Sequence, residues 1–335
     1  MSKTTSERSI EAPPEARETD PRPGQNIAEF MERRGRRIVE TAECLWHGVE
    51  SRFFLSLPYQ VPRDPESAEI SRLLVAERGL GVRFLSRNRP GLAGGIYVWR
   101  RKPYGLDCIH QKLRSQVRRG LEKFTVRPVE QSELLAQGLQ LNRDTMTRQG
   151  RYDAEFGEPG NWERLASAVY QSRGVMAYGA FSDGRLAAYV IACRDGGWLH
   201  ILHQMSRTED LPQNPNHAVT FSVTAMAAED STLEAASYGL VSLLSVDGLH
   251  MYKVRFGYEV VESASAFQFH PALAPVLRNG VLRGAVGLLR RIRPQDQRLE
   301  KVETVLEAAR LSARPVRPDV ADAGALLEKG TGRLT

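Results

Sequence analysis

VMAYGAFSDGRLAAYVIACRDGGWLHILHQ, residues 175–204, alternates three apolar runs with two tight turns, Ser182-Asp183-Gly184 and Asp195-Gly196-Gly197. Short apolar runs separated by Asp-Gly turns mark a β-meander, so three antiparallel strands are expected at 175–181, 186–193 and 198–204. Downstream, the stretch 216–229 carries Val219, Phe221, Val223, Ala225 and Met226 and is apolar nearly all round, the pattern of a helix buried against a sheet. A strand at 233–240, a short helix at 247–256 closed by Gly257 as a left-handed cap, and a strand at 258–261 running into 266–269 complete the order β-β-β-α-β-α-β. The buried helix provides a right-handed crossover. The strand at 233–240 is therefore expected beside 198–204, parallel to it and splaying away to open a cleft.

Upstream, 38–46 and 52–57 read as strands. Asp64 and Pro65 read as the cap and first residue of a helix that Gly79 ends. Strands follow at 82–85 and 96–99, then a basic helix at 106–123 with Leu106, Ile109, Leu113, Val117 and Leu121 at helical spacing. A strand at 125–129 leads to helices at 132–149 and 161–171. Residues 1–25, with Pro13, Pro14, Pro21 and Pro23 among charges, read as a disordered tail, and 294–335 as a C-terminal helix followed by a loose tail from Ser312. In 273–293, Leu273, Leu277, Val281, Leu288 and Ile292 lie on one side and Arg278, Arg283, Arg290 and Arg293 on the other. Such a helix fits an anionic membrane surface as a peripheral contact, but covering the domain's own sheet is the expectation.

The composition bounds the function. The chain has 335 residues, 41% hydrophobic and 26% charged, with a mean hydropathy of −0.37. That is a globular composition with no apolar run long enough to span a bilayer and no leader-like start, so a cytoplasmic location is expected. Cys44, Cys108 and Cys193 form no C-x-x-C pair, which argues against a disulfide framework or thiolate metal site and for a reducing compartment. No P-loop, EF-hand or H-E-x-x-H occurs, and no metal is expected. The net charge is +6, and 39 of the 46 basic residues are arginine, whose fork suits phosphates.

The element Gly248-Leu249-His250-Met251-Tyr252-Lys253-Val254-Arg255-Phe256-Gly257-Tyr258-Glu259 resembles the aromatic-Lys-x-x-Phe-Gly element of the Fem-type peptidyltransferase branch of the GNAT acyltransferase superfamily. The basic stretch Leu113-Arg114-Ser115-Gln116-Val117-Arg118-Arg119-Gly120-Leu121-Glu122-Lys123 resembles that branch's second recurrent element. The resemblance covers residues 38 to about 270 and implies an α+β fold with a mixed sheet. It implies a degenerate N-terminal GNAT-like unit with connecting helices at 26–150 and a complete GNAT acyltransferase domain at 151–293. It also implies direct acyl transfer to a small-molecule or peptide amine, without a covalent enzyme intermediate. The donor is acyl-CoA, or alternatively aminoacyl-tRNA, with tRNA then a partner; a catalytically idle binding module of the same fold is the third reading.

Acyl transfer to an amine needs a neutral nucleophile, a destination for its proton and help for the oxyanion. By the resemblance Lys253 stabilises transition-state charge, with Tyr252 beside it as a proton donor or a core aromatic. Asn216, His217, Gln204 and Arg118 are the candidate donor-binding residues. Asn216 is expected to cap the buried helix, and His217 to meet an anion together with that helix's first amides. The stretch 206–217 departs from the superfamily, with Asn214-Pro215-Asn216 where a Gly-rich phosphate turn is usual. His200 and His203 are expected on opposite faces of their strand. Ser245, Asp247 and His250 lie close together, but without a G-x-S-x-G elbow they are not read as a triad.

Overall fold

The computed structural model describes residues 23–49, 52–244, 247–294 and 296–315. Most of the two expected tails, and Ser245, lie outside the described residues. The chain runs α1 (Gln25–Arg33), β1 (Ile38–Glu40), β2 (Leu45–Val49), β3 (Phe53–Leu57), α2 (Ser67–Ala76), β4 (Gly81–Ser86), β5 (Leu92–Trp99), α3 (Gln111–Lys123), β6 (Thr125–Pro128), α4 (Gln131–Arg148), α5 (Ala154–Gly157) and α6 (Pro159–Gln171). It continues through β7 (Val175–Ser182), β8 (Arg185–Asp195), β9 (Trp198–Ser206), α7 (Pro215–Glu229), β10 (Ala235–Leu240), α8 (Asp247–Arg255), β11 (Glu259–Phe269), α9 (Ala274–Leu277), α10 (Gly280–Ile292) and α11 (Gln297–Leu311). The fold is mixed α+β, with the meander, buried helix, strand, short helix and last strand in the expected order. Two compact units share it, neither a continuous stretch. One joins the described residues through Gly35 to Trp99–Ala236 and Arg255–Gly257; the other joins Arg36–Val98 to Ser237–Val254 and the described residues from Tyr258 onward.

The first unit is built on the meander, with β6, β7, β8 and β9 antiparallel in that order. The amides of Glu234 and Ala235, at the start of β10, both donate to the carbonyl of Gly197, just ahead of β9. Both strands therefore set out from the same end, as a parallel pair does. α7 lies on one face of this sheet beneath α3, which accounts for its all-round apolarity. The close approach of α3 needs a missing side chain: a Cβ on Gly120 would sit 2.6 Å from the Asn214 carbonyl oxygen. α1, α4 and α6 pack on the other face. α1 begins inside the stretch read as tail, since Gly24 and Gln25 are ordered at its start, and its first turn has no capping side chain of its own. The buried carboxylate of Asp195 caps it instead, accepting from Gly24 N at 2.6 Å and Ile27 N at 3.0 Å.

The second unit orders its strands β1-β2-β3-β4-β11-β5. β11 runs antiparallel to both neighbours, pairing Phe267 with Arg83 on one side and Val261 with Ile96 on the other. The strand that completes the C-terminal element order thus belongs to the sheet of residues 38–98. α2 covers one face, where Trp46, Phe54, Ile70, Leu74, Phe84 and Ala266 form the core. The cap expected of Asp64 is absent: the helix starts at Ser67 after Glu66, and the Asp64 carboxylate instead accepts from Ser86 Oγ and Asn88 Nδ2.

The other face of this sheet is covered by α11, whose Ala308 and Ala309 let it settle on Phe269 and Ala274. This corrects the expectation for 273–293. That stretch breaks at Arg278, and Asn279 caps a new helix, α10, which packs on α11 and leaves Val281, Leu288 and Ile292 exposed.

The close fit of β11 against β5 depends on Gly95, which has φ +146° and where a Cβ would overlap the Val261 carbonyl oxygen. Gly95→Ala adds backbone strain to a steric clash and is expected to cost about 3 kcal/mol in urea denaturation. A loss below about 0.5 kcal/mol, the level of a surface change, would contradict this account of the pairing.

Candidate functional site

α8 carries His250 and Lys253 three residues apart, on one side of the helix. Lys253 is 6% exposed. Its Nζ donates to the Tyr238 carbonyl oxygen at 2.6 Å and lies 4.4 Å from the ring centre of Tyr97 and 5.0 Å from that of Tyr238. Tyr97 comes from β5 and Tyr238 from β10. Burial pushes the Lys253 pKa down to about 8, and no carboxylate is among the causes. The aromatic faces and one carbonyl dipole therefore carry the compensation that an anion ordinarily provides. At pH 7 the ammonium is still the majority form.

The hydroxyl of Tyr97 and Nδ1 of His250 are 2.9 Å apart, and burial raises the phenol's pKa. His250 is exposed, so the pair joins a buried phenol to solvent beside a buried cation. Tyr252 is half-buried, its ring edge-on to Tyr238 at 6.4 Å. Sequence reading identified Lys253 and Tyr252 but passed over Tyr97 and set His250 aside with the triad. Tyr97 lies 153 residues from its partner, and no local spacing signals such a pair.

The expected donor residues divide. Gln204 on β9 and Asn216 on α7 come together: Gln204 Nε2 donates to Asn216 Oδ1 at 3.1 Å and to Thr220 Oγ1 at 3.2 Å, and Asn216 Nδ2 donates to Ser206 Oγ at 3.0 Å. Asn216 is not the cap expected of it. α7 starts one residue earlier at Pro215, after Asn214 in the left-handed conformation (φ 63°), so the Asn216 side chain lies within the first turn and is engaged by β9. The amides of His217 and Ala218 donate to the Asn214 carbonyl, and Pro215 has none to offer. Little of an amide cradle is left at this helix start. His217 packs 5.7 Å from the Phe256 ring. Burial lowers its pKa to about 4, so at pH 7 it is a neutral hydrogen-bonding group. Arg118 is exposed on α3.

His200 and His203 fall on the same face of β9, contrary to expectation. The register slips between Ile191 and Ala192: Ala192 pairs with Ile201 but Ile191 with His203, so Leu202 has no residue opposite and the alternation resets. His203 Nε2 lies 2.9 Å from Arg34 Nη1, and the buried His200 ring stacks on Trp198. Among the described residues no group of His, Cys, Asp and Glu side chains is arranged to hold a metal, and no helix is long and apolar enough to cross a membrane.

No family model and no curated protein matches the chain. Among solved structures, one described as FemX is 12% identical and covers 72% of this chain and 89% of its own, with a TM-score of 0.48. The C-terminal domain of a putative lysylphosphatidylglycerol synthetase from Agrobacterium fabrum is 14% identical over 72% of this chain and 86% of that one, with a TM-score of 0.47. A GCN5-related N-acetyltransferase from Kribbella flavida is 14% identical over 74% of this chain and 94% of that one, with a TM-score of 0.44. At these identities each likeness is one of fold alone, and all three TM-scores lie below 0.5.

Burial holds His200 near a pKa of about 3 and His217 near about 4, both below the ordinary 6.5. Between pH 6.5 and 4 the unfolded chain therefore binds protons that the folded chain refuses, and stability falls as the pH falls. The loss is expected to be of the order of a few kcal/mol by pH 4, with His200→Gln flattening part of the slope in urea titrations at stepped pH. An identical slope in that variant would show that His200 does not carry it.

Proposed function

We propose that this protein is an N-acyltransferase in which Lys253 stabilises the oxyanion of a tetrahedral intermediate while the Tyr97–His250 pair handles a proton. The observation that carries the reading is the buried Lys253 ammonium, fixed by one carbonyl and two rings, with no carboxylate among the described residues paired with it. In the reaction an amine nitrogen attacks the donor's acyl carbon, a C–N bond forms and the bond to the leaving group breaks. The amine's proton passes to the pair, which can return one to the leaving group. A cation already fixed and desolvated stabilises the oxyanion without reorganising, and its effect exceeds that of a solvated lysine.

The first donor reading is acyl-CoA. The second is an aminoacyl ester of tRNA, favoured by one observation: the first turn of α7 has a proline and two internally bonded amides where a pyrophosphate would need free N–H groups. Gln204, Asn216 and His217 remain the candidates for contacting the donor. A catalytically idle module of the same fold is the outcome if neither donor reacts.

The test measures turnover with acetyl-CoA and with charged tRNA against a panel of amines. Lys253→Met is expected to lower kcat about a hundredfold, with donor affinity little changed. Wild-type activity should fall as pH rises through about 8, where Lys253 loses its proton, and Lys253→Arg should remove that fall. A kcat within twofold of wild type in Lys253→Met would reduce the residue to a structural cation. Failure of both donors to react or to stabilise the protein would overturn the transfer reading.

A further inference from the structure

The face of the second unit's sheet that α11 covers is not filled along its whole length. Between β3, β4 and β11 on one side and the segment after β10 and α11 on the other lies a cleft of about 680 Å³, within the size range of small-molecule sites. Its walls are mostly apolar, with Phe53, Leu55, Phe267, Leu244 and Val305 among the lining side chains. Ser242, Thr304 and the exposed Lys301 also line it, and the remaining polar group is Arg83. It stands on β4 at a position facing Phe267 across the ladder, on the cleft side of the sheet.

The surroundings of that guanidinium are unusual. Nη2 donates to the Val241 carbonyl at 3.2 Å and to Ser265 Oγ at 3.1 Å, while the buried Nε has no hydrogen-bond partner among the described residues. No carboxylate among them pairs with it, and burial alone lowers its pKa to about 10. A buried cation lacking an anion is costly unless something supplies one, and the guanidinium fork matches a carboxylate or phosphate. A cleft with mostly apolar walls and one half-buried arginine whose buried Nε lacks a partner among the described residues calls for a ligand with an apolar body and an anionic end.

We propose that this cleft binds a long acyl chain carrying an anionic head, a carboxylate or a phosphate, with the head on Arg83 and the chain against Phe53, Leu55 and Phe267. Fatty acids and lipid phosphates share this chemistry. The site shares no residue with the Lys253 cluster and does not depend on the transfer reading.

The experiment titrates the full chain, below the micellar limit, with hexadecanoate, hexadecyl phosphate and uncharged hexadecanol, read by calorimetry or by displacement of a fluorescent fatty acid. Both anions are expected to bind at least tenfold more tightly than the alcohol, and the tighter of the two names the head. Shortening tetradecanoate to dodecanoate should weaken binding about fifteenfold, the effect of two buried methylenes. Arg83→Met should abolish the preference for anions while leaving hexadecanol binding in place, and Arg83→Lys should retain part of it. Thr304→Trp, which keeps Arg83 and fills the cleft from α11, should weaken all three ligands and decides the matter if Arg83→Met does not fold. Equal affinity of wild type for hexadecanol and hexadecanoate, an undiminished preference in folded Arg83→Met, or unchanged binding in Thr304→Trp would each overturn the proposal.

Discussion

Strand β11 is hydrogen-bonded along both edges, to β4 and to β5, and the second unit depends on that double pairing. β4 and β5 are consecutive in the chain but do not adjoin in the sheet. What joins them is a strand from about 160 residues further on, admitted by glycines at 91, 94 and 95 where side chains would strike Ser265 or Val261. Ser265, which receives a hydrogen bond from Arg83, comes with it. So does the register that sets Tyr97 in β5 opposite Val260.

Buried Lys253 and half-buried Arg83, neither paired with a carboxylate among the described residues, are accommodated in two ways. Lys253 is met by ring faces and one carbonyl, a setting that tolerates the charge while moving its titration close to physiological pH. Arg83 cannot give up its proton in the same range and is met by one hydroxyl and one carbonyl through a single nitrogen. A lysine so placed can change its charge during a reaction cycle, whereas an arginine so placed is a fixed positive point.

Much of the fold was legible because its punctuation is local. The Asp-Gly turns at 183–184 and 195–197 bound strands at 175–182, 185–195 and 198–206, and the all-apolar 216–229 stretch became the buried α7. Gly257 closes its turn with φ +86°, as a left-handed cap should. What was missed is non-local or one residue out of phase. α1 follows a proline-rich stretch and takes its cap from Asp195, so nothing nearby announces it. The slip at Leu202 is a backbone event that leaves no mark on residue types, yet it reverses which face His203 occupies. Asn216 was taken for a cap because the left-handed Asn214 and Pro215 ahead of it read as loop. Of the Lys253 cluster, only the residues on α8 were visible as a motif. Tyr97 and Tyr238 join it through the sheet.

The cap of α1 has a consequence for how this chain is made. Gly24 leaves the ribosome 171 residues before Asp195, the group that holds its amide. At about 5–20 residues per second that interval lasts roughly 10 to 35 s. Throughout it the first helix has neither its cap nor the sheet that buries Ile27, Phe30 and Met31, and a nine-residue helix is too short to persist alone in water. The nascent protein therefore carries this apolar segment unfolded until the meander has been synthesised. Such a segment is a ready target for holdase chaperones and for the protease that competes with them.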